Sequence, residues 1–365
     1  TQDIETQYQA YIEEELLENA DPRLAEFVMY CSVLDSIDID SARALYGDDV
    51  DVAERFSMLT QSGLPYSLLG DGTVIRLHPL LRQAANRVLK TTVPREEVHR
   101  IYRRAYEWQE THGLIVDAIE SSVTIGDWRE ALRMIDTHWY DFVAANGLPR
   151  LRGWLDTFPK SLQRDIDFVD IYTRAIIQSG DNQELTAYLR PHLTAMNATE
   201  VTPRLINLWV RYYWALIHTG GDVSYRAIDK EFNALSTRCS DLDNKQRASI
   251  EVVLCAAAYA ELAIDAGISH AKHALSLIEN TSPEYAADIR DNLAILEHTR
   301  GNSHEAVRLF ELGIEQCRGG GSFHGLPLRM FNLAWVYCAI GHYQKAVEII
   351  NEGRAVMTRY GLEDV

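Results

Sequence analysis

The sequence predicts a mainly α-helical protein with two regions of different character. Apolar residues recur at helical spacing over most of the 365 residues. Residues 67–77 (SLLGDGTVIRL) instead carry two short apolar runs around Asp71-Gly72, a pattern typical of a β-hairpin. From residue 95 onward the strand-like pattern is absent, and a turn residue followed five positions later by a small or apolar residue recurs. These observations separate an N-terminal domain from a repetitive helical region.

The N-terminal domain follows the element order of a winged helix. Helical periodicity marks residues 5–19, 23–34, 41–46 and 50–61 before the hairpin, and Asp40 is the expected N-cap of the third of these helices. A further helix runs from Pro79 to about Lys90, and Pro94 closes the domain. We therefore predict a winged-helix domain with a preceding helix over residues 1–94.

The helical region repeats itself most clearly near its end. Residues 292–310 (NLAILEHTRGNSHEAVRLF) and 332–350 (NLAWVYCAIGHYQKAVEII) superpose without a gap, 40 residues apart. Small residues stand where paired helices cross, and glycine stands at the turn, which is the tetratricopeptide pattern. The pattern is fair at GDWREAL (126–132) and weak over 160–275. We predict helical hairpins over 95–160 that start the solenoid, and a tetratricopeptide-like superhelical domain over 161–365.

Composition excludes several function classes. The formal net charge of −18 repels phosphate backbones, so we expect no DNA binding by this chain. No apolar run is long enough to cross a bilayer, so we expect no membrane partner. The five cysteines form no CxxC pair, which argues against a zinc site or a disulfide framework and favours a cytoplasmic location. The chain does not begin with methionine, which suggests a fragment of a longer protein.

Candidate ligand-binding residues lie in the solenoid. Trp209, Tyr212 and Tyr213 either stack on a ligand at the concave face or fill the repeat core, whereas Trp214 is expected in the core. Asn292 and Asn332 occupy equivalent repeat positions, where they contact a ligand or tie neighbouring repeats together.

Trp335 lies three positions after Asn332, and we expect it on the same inner face of the solenoid. A glycine-rich stretch, RGGGSFHGLPLR (318–329), is expected to form a long loop, either a lid or a tolerated insertion. HExxH, GxSxG and GxxxxGK[ST] motifs are absent from the sequence. We therefore expect no catalytic residues, no metal site, no cofactor bound by this chain itself and no enzymatic activity.

The chain resembles the middle and sensor part of the MalT-like large ATP-dependent activators of the LuxR family, a branch of the signal-transduction (STAND) ATPases. The resemblance rests on the two clear repeats and on residues 11–19 (YIEEELLEN), 61–64 (QSGL), 77–89 (LHPLLRQAANRVL) and 99–128. It implies that the solenoid binds an unidentified inducer and that the winged helix couples this event to an upstream nucleotide-binding domain. ATP or ADP is expected in the full-length protein, and DNA contact is expected only through a C-terminal helix-turn-helix outside this chain.

The resemblance also gives His78 a candidate role. LHPLLRQAA is similar to the MHD-type motif, whose histidine reaches the β-phosphate of bound ADP in the wider class, although Pro79 stands where that motif has an acid. Without the resemblance, the simpler interpretation is a capping residue ahead of Pro79. For the whole chain the alternative function is a pure interaction module that holds a regulatory protein or peptide on the concave surface.

Overall fold

The computed structural model describes residues 20–47, 51–70, 72–144, 148–196, 200–221, 224–320 and 325–360. These residues are mainly α-helical, as predicted, and the chain divides into two compact units, Thr1–Leu162 and Gln163–Val365. The helix predicted over residues 5–19, which includes YIEEELLEN, lies outside the described residues.

A winged-helix order opens the first unit. Its elements are α1 (Pro22–Cys31), α2 (Ile39–Tyr46), α3 (Val52–Gln61), β1 (Tyr66–Leu69), β2 (Val74–Leu77) and α4 (Pro79–Thr92). The two strands are antiparallel and pair Tyr66 with Leu77, and Ile37 adds a bridge to Ile75. Their buried side chains form one core, which includes Phe27, Val28, Leu34, Ile37, Leu59, Ile75 and Leu81. The predicted hairpin and the helix that follows it are confirmed.

Local capping places two boundaries differently from the sequence prediction. Asp38, rather than Asp40, caps α2, because its carboxylate accepts the Ser41 N–H at 2.7 Å while the Ser41 hydroxyl accepts the Asp38 N–H at 2.9 Å. Helix α1 ends at Cys31 instead of continuing to Leu34. The hydroxyl of Ser32 donates to the Met29 carbonyl at 2.6 Å and thereby satisfies a carbonyl of the last turn.

Helical hairpins complete the first unit. They comprise α5 (Arg95–Thr111), α6 (Ile115–Ile125), α7 (Trp128–Thr137), α8 (Trp139–Ala144) and α9 (Leu148–Asp156). Gly113 and Gly126, which follow α5 and α6, have φ of 75° and 77°. Glycine is favoured at these turns because other residues are strained in this left-handed region.

The second unit is a stack of helical hairpins that begins after a 3-10 turn, Leu162–Arg164. Its helices are α10 (Ile166–Gln178), α11 (Asn182–Met196), α12 (Pro203–His218), α13 (Tyr225–Arg238), α14 (Asn244–Ala260), α15 (Ile264–Ile278), α16 (Pro283–Thr299), α17 (Ser303–Gly320), α18 (Leu326–Ala339) and α19 (Tyr343–Tyr360). Each even-numbered helix from α10 to α18 is the first of a pair. Consecutive first helices pack side by side from α10 to α16. The predicted tetratricopeptide-like solenoid is confirmed.

Small residues stand at the predicted helix crossings. Ala294 and Ala306 are 0% exposed, and their equivalents in the next repeat, Ala334 and Ala346, are 2% and 1% exposed. Any larger side chain at these positions would separate the helices, because interaxial distances of 8–10 Å depend on the contact residues.

The glycine-rich loop is shorter than predicted. Helix α17 extends through Arg318 to Gly320, and α18 begins at Leu326 with Gly325 as its N-cap. Residues 321–324 lie outside the described residues. Arg329, which the sequence placed in the loop, is therefore a helical residue and is 1% exposed.

Candidate functional site

The first helices of four successive repeats surround a cavity of about 530 Å³. Side chains of α12, α14, α16 and α18 line it, and most of these side chains are apolar: Val210, Trp214, Val252, Val253, Tyr285, Ile289, Ile295 and Leu328. This volume and this apolar lining are those of ordinary small-molecule pockets.

One repeat position recurs around the cavity. Each of the four lining helices is followed by a residue with left-handed backbone, namely Gly220, Leu262, Gly301 and Gly341. The residue nine positions before each of these lines the cavity: Arg211, Val253, Asn292 and Asn332. Because equivalent positions in stacked repeats share one face, these side chains form a column across the site.

The shared repeat position explains why the sequence predicted Asn292 and Asn332 but not Arg211. Asn292 and Asn332 were found because their repeats superpose without a gap. Arg211 was missed because the α12 hairpin, whose left-handed turn residue is Gly220, carries only a weak repeat signal in the sequence. Counting back from the glycine would have identified Arg211.

The two predicted asparagines keep their side-chain amides available. Both are half-buried. Within the described part of the chain neither side chain has a hydrogen-bond partner, so neither ties neighbouring repeats together by a bond. Both amides therefore remain free to contact a molecule in the cavity.

Other polar side chains of the lining are already bonded within the protein. The Tyr285 hydroxyl donates to the Ser249 hydroxyl at 3.0 Å, and that hydroxyl donates to the Lys245 carbonyl at 2.9 Å. His218 donates through Nδ1 to the Trp214 carbonyl at 2.8 Å.

Arg211 is held from the neighbouring helix α10. Its Nη1 donates to Asp170 Oδ1 at 2.8 Å, to the Asp170 carbonyl at 3.1 Å and to the Thr173 hydroxyl at 2.8 Å. Burial lowers the pKa of the Arg211 guanidinium, and the charge of Asp170 opposes this effect. The cation is therefore fixed at the edge of the cavity by a carboxylate that is itself only 5% exposed.

Arg329 fixes the opposite wall. Its Nε donates to both carboxylate oxygens of Asp291 at 2.8 Å, and its Nη2 donates to Asp288 at 2.9 Å. Nη1 lies 2.6 Å from the Cys317 sulfur. Burial raises the pKa of Asp291 to about 7, while the charge of Arg329 acts in the opposite direction. A Cβ at Gly313 would lie 3.0 Å from Cδ of Arg329, so glycine makes room for this side chain.

The three predicted aromatics lie together in a different cavity. Trp209, Tyr212 and Tyr213 line a space of about 440 Å³ between α11 and α12. The rings of Trp209 and Tyr213 stack with centroids 5.5 Å apart, and the Tyr213 hydroxyl donates to Glu231 at 2.7 Å. The indole nitrogen of Trp209 is buried without a partner in the described structure. This group is not joined to Asn292 and Asn332 in one site.

Two tryptophans lie at places other than those that the sequence suggested. Trp214, expected in the core, is half-buried and lines the 530 Å³ cavity. Trp335 lies one turn after Asn332 but does not line that cavity; it is 49% exposed, and its ring meets the His298 ring edge-on at 4.5 Å.

His78 caps helix α4. Its Nδ1 accepts the Leu80 N–H at 3.4 Å, and the backbone N–H of His78 donates to the Pro65 carbonyl at 3.0 Å. A neutral ring that accepts at Nδ1 carries its proton at Nε2, so Nε2 is the available donor. The side chain is exposed at a helix N-terminus, where anions are stabilised, and this arrangement fits a contact to phosphate.

Neither a metal site nor a membrane span is found in the described residues. No group of three or more histidine, cysteine, aspartate or glutamate side chains there could hold a metal ion. None of the helices in this part of the chain is long and apolar enough to cross a membrane.

Comparisons with known proteins agree with this architecture. Residues 13–97 match the family described as the MalT winged helix domain. A crystal structure of a STAND protein (signal transduction ATPase with numerous domains) with a tetratricopeptide repeat sensor, from Pyrococcus horikoshii, aligns with 93% of this chain at a TM-score of 0.67 and 13% identity. The alignment covers 51% of that protein, so this chain spans about half its length.

Two further crystal structures align with this chain at lower TM-scores. BtubC (BKLC) from P. vanneervenii aligns with 61% of this chain and 91% of its own, at 17% identity and a TM-score of 0.43. The Cut9–Hcn1 hetero-tetramer of APC/C aligns with 95% of this chain and 69% of its own, at 12% identity and a TM-score of 0.46. None of the curated proteins matches the sequence of this chain.

The chain is thus a winged helix followed by a tetratricopeptide-like solenoid, and 93% of it aligns with the fold of the STAND protein. Its winged helix is of the MalT type, and the resemblance predicted from the sequence is confirmed in this respect.

Proposed function

We propose that this chain is the sensing and relay portion of an ATP-dependent transcription activator of the LuxR type. In this proposal the solenoid binds a small-molecule inducer in the 530 Å³ cavity, and the chain itself catalyses no reaction. The single observation that carries the proposal is this cavity, where mostly apolar walls surround two unbonded amides. A few placed polar groups in an apolar pocket are typical of ligand sites.

The winged helix would act as the relay to an upstream nucleotide-binding domain that holds ATP or ADP. His78 is the residue of this chain that would contact the nucleotide, by donating from Nε2 to a phosphate. The inducer would shift the population of states by binding the active arrangement more tightly than the resting one. In this cytoplasmic regulator, DNA would be read by a separate C-terminal helix-turn-helix. The acidic charge of this chain, which repels phosphate, is consistent with that division of roles.

Protein binding is the second candidate function. The last hairpin exposes large apolar side chains, with Leu328 66%, Trp335 49%, Tyr343 68% and Val347 57% exposed. Exposed apolar surface of this kind marks protein contact sites. In this case a regulatory protein or peptide, rather than a small molecule, would be the signal.

A thermal-shift screen with a blocked cavity tests the proposal. A metabolite panel is added to the native chain and to Ile295→Trp, which places a bulky ring in the cavity at the position that Trp335 occupies in the next repeat. Ile177→Trp is the matched control, since Ile177 is 42% exposed and lies outside the cavity. We expect a saturable rise in Tm for one chemical class, retained in Ile177→Trp and lost in Ile295→Trp.

Two results would contradict inducer binding in this cavity. One is a ligand shift that survives Ile295→Trp unchanged. The other is the absence of any shift together with capture of a regulatory protein that Trp335→Ala or Tyr343→Ala releases; this outcome would favour the second candidate function.

A further inference from the structure

Most polar side chains that line the cavity of about 530 Å³ are already hydrogen-bonded within the protein. Arg211 is bonded to Asp170 and Thr173, Asp291 to Arg329, and Tyr285 to Ser249. Among the lining residues in the described structure, the amides of Asn292 and Asn332 and the indole N–H of Trp214 have no hydrogen-bond partner, and only the two amides offer an acceptor as well as donors. Unbonded polar groups in an otherwise satisfied apolar site determine what the site accepts.

An asparagine amide presents an acceptor and two donors side by side in one plane. Its best complement is a group that also offers a donor and an acceptor side by side, and a secondary amide does so. Carboxylates and esters offer acceptors alone, while sugars offer many hydroxyls that these apolar walls could not satisfy. Val253, at the equivalent repeat position on α14 between Arg211 and Asn292, contributes an apolar contact instead.

From these contacts we propose that the cavity binds an uncharged, mostly apolar molecule with at least one secondary amide, which pairs with Asn292 and Asn332. The inference rests on the proposed sensor function and names the chemical class of its inducer. Two sources supply this chemistry, a short apolar peptide and a non-peptide N-acyl amine, and the experiment separates them.

The experiment uses an isosteric pair of probes on the native chain. N-Phenyl-1-naphthylamine, a neutral apolar dye, reports on the cavity by its fluorescence. Hexananilide and phenyl hexanoate then compete with the dye; they differ only in N–H against O at one position. We expect the anilide to compete at least tenfold better than the ester, because the ester leaves the asparagine acceptors without a donor.

Variants assign that preference to the two amides. In the double variant Asn292→Leu/Asn332→Leu we expect dye binding to remain and the anilide preference to fall to about onefold. Asn207→Leu on α12 is the matched control, because Asn207 is half-buried but does not line the cavity. If the double variant fails to fold by circular dichroism, the single variants Asn292→Leu and Asn332→Leu replace it, and each should lower the anilide preference.

Each remaining outcome decides a point. Equal competition by anilide and ester, with dye bound, would overturn the amide inference and leave the sensor proposal standing. Absence of dye binding, together with no Tm shift in the metabolite screen, would overturn both. Stronger competition by N-acetyl-leucyl-leucine methylamide than by the anilide would identify a peptide as the source, and the reverse order a non-peptide amide.

Discussion

Arg329 on α18 forms an ion pair with Asp291 on α16, and its Nε donates to both carboxylate oxygens at 2.8 Å. The same guanidinium reaches Asp288 at 2.9 Å, so α18 is attached to two residues on the wall of the cavity in α16. This contact links the last repeat to the candidate site.

Removal of this guanidinium should destabilise the solenoid. Arg329→Met leaves Asp291, which is 18% exposed, without the cation that neutralises it, and we expect a loss of about 3 kcal/mol in the free energy of unfolding. Urea denaturation measures this loss. Arg329→Met combined with Asp291→Asn should recover part of it, because the buried charge is then absent. Equal stability of Arg329→Met and the native chain would contradict the structural role.

Leu262 should be a stabilising site for glycine. It is the only non-glycine residue with positive φ in the described chain, at 58°, and it occupies the turn position that Gly301 and Gly341 fill in the next two repeats. A left-handed conformation costs a non-glycine residue about 1–2 kcal/mol, which a change to glycine would remove. The greater entropy of glycine in the unfolded chain would offset about 0.4–1 kcal/mol of this stabilisation.

We therefore expect Leu262→Gly to raise the free energy of unfolding by about 0.5–1 kcal/mol, measured by urea denaturation. Leu262 is 74% exposed, so little packing is lost. The reciprocal change Gly301→Leu should destabilise the chain. A loss of stability in Leu262→Gly would show that the leucine side chain contributes more than its backbone conformation costs.

The carboxylate of Glu251 should make stability sensitive to acid. Its oxygens lie 2.6 Å from His270 Nδ1 and 3.0 Å from His273 Nδ1. Burial raises the pKa of Glu251, but the hydrogen bonds and charges of the two histidines outweigh burial and hold it below 4.5. Since the folded pKa lies below the unfolded value, this stabilisation is complete above about pH 4.5 and is lost as the pH falls further.

Melting curves between pH 6 and pH 3 test this dependence. The Tm difference between the native chain and Glu251→Gln should be largest above pH 4.5 and shrink below it. Glu284→Gln, at an exposed residue of α16, is the control and should show no such convergence. A constant difference over the whole range would contradict the lowered pKa.

His78 can be tested for its two roles separately. His78→Asn retains a good N-cap for α4 but removes the imidazole, whereas His78→Ala removes both. In the isolated chain we expect Asn to match or exceed the native stability and Ala to lose about 0.5 kcal/mol or more. In the full-length protein both variants should raise basal activation and reduce ADP retention if the imidazole contacts phosphate. Unchanged ADP retention in His78→Asn would leave capping as its only role.

The residues of the candidate site were partly predictable. Asn292 and Asn332 followed from a gap-free repeat, since equivalent positions share a face. The roles of the aromatic residues in 208–216 were ambiguous, because this helix carries apolar residues on several of its faces. Its periodicity therefore could not show that Trp214 lines the 530 Å³ cavity and that Trp209 lines a different one. Arg329 was assigned to a loop because the glycines before it hid the start of α18.

The sequence alone determined the fold class and the element order, because helical periodicity, turn residues and the hairpin signal are properties of neighbouring residues. Only the tertiary structure decided which polar groups are already bonded. Arg211 meets Asp170 across 41 residues and Arg329 meets Asp291 across 38, and such partners are set by how helices stack. What remains unbonded in the cavity, and therefore what the site would bind, depends on those distant contacts.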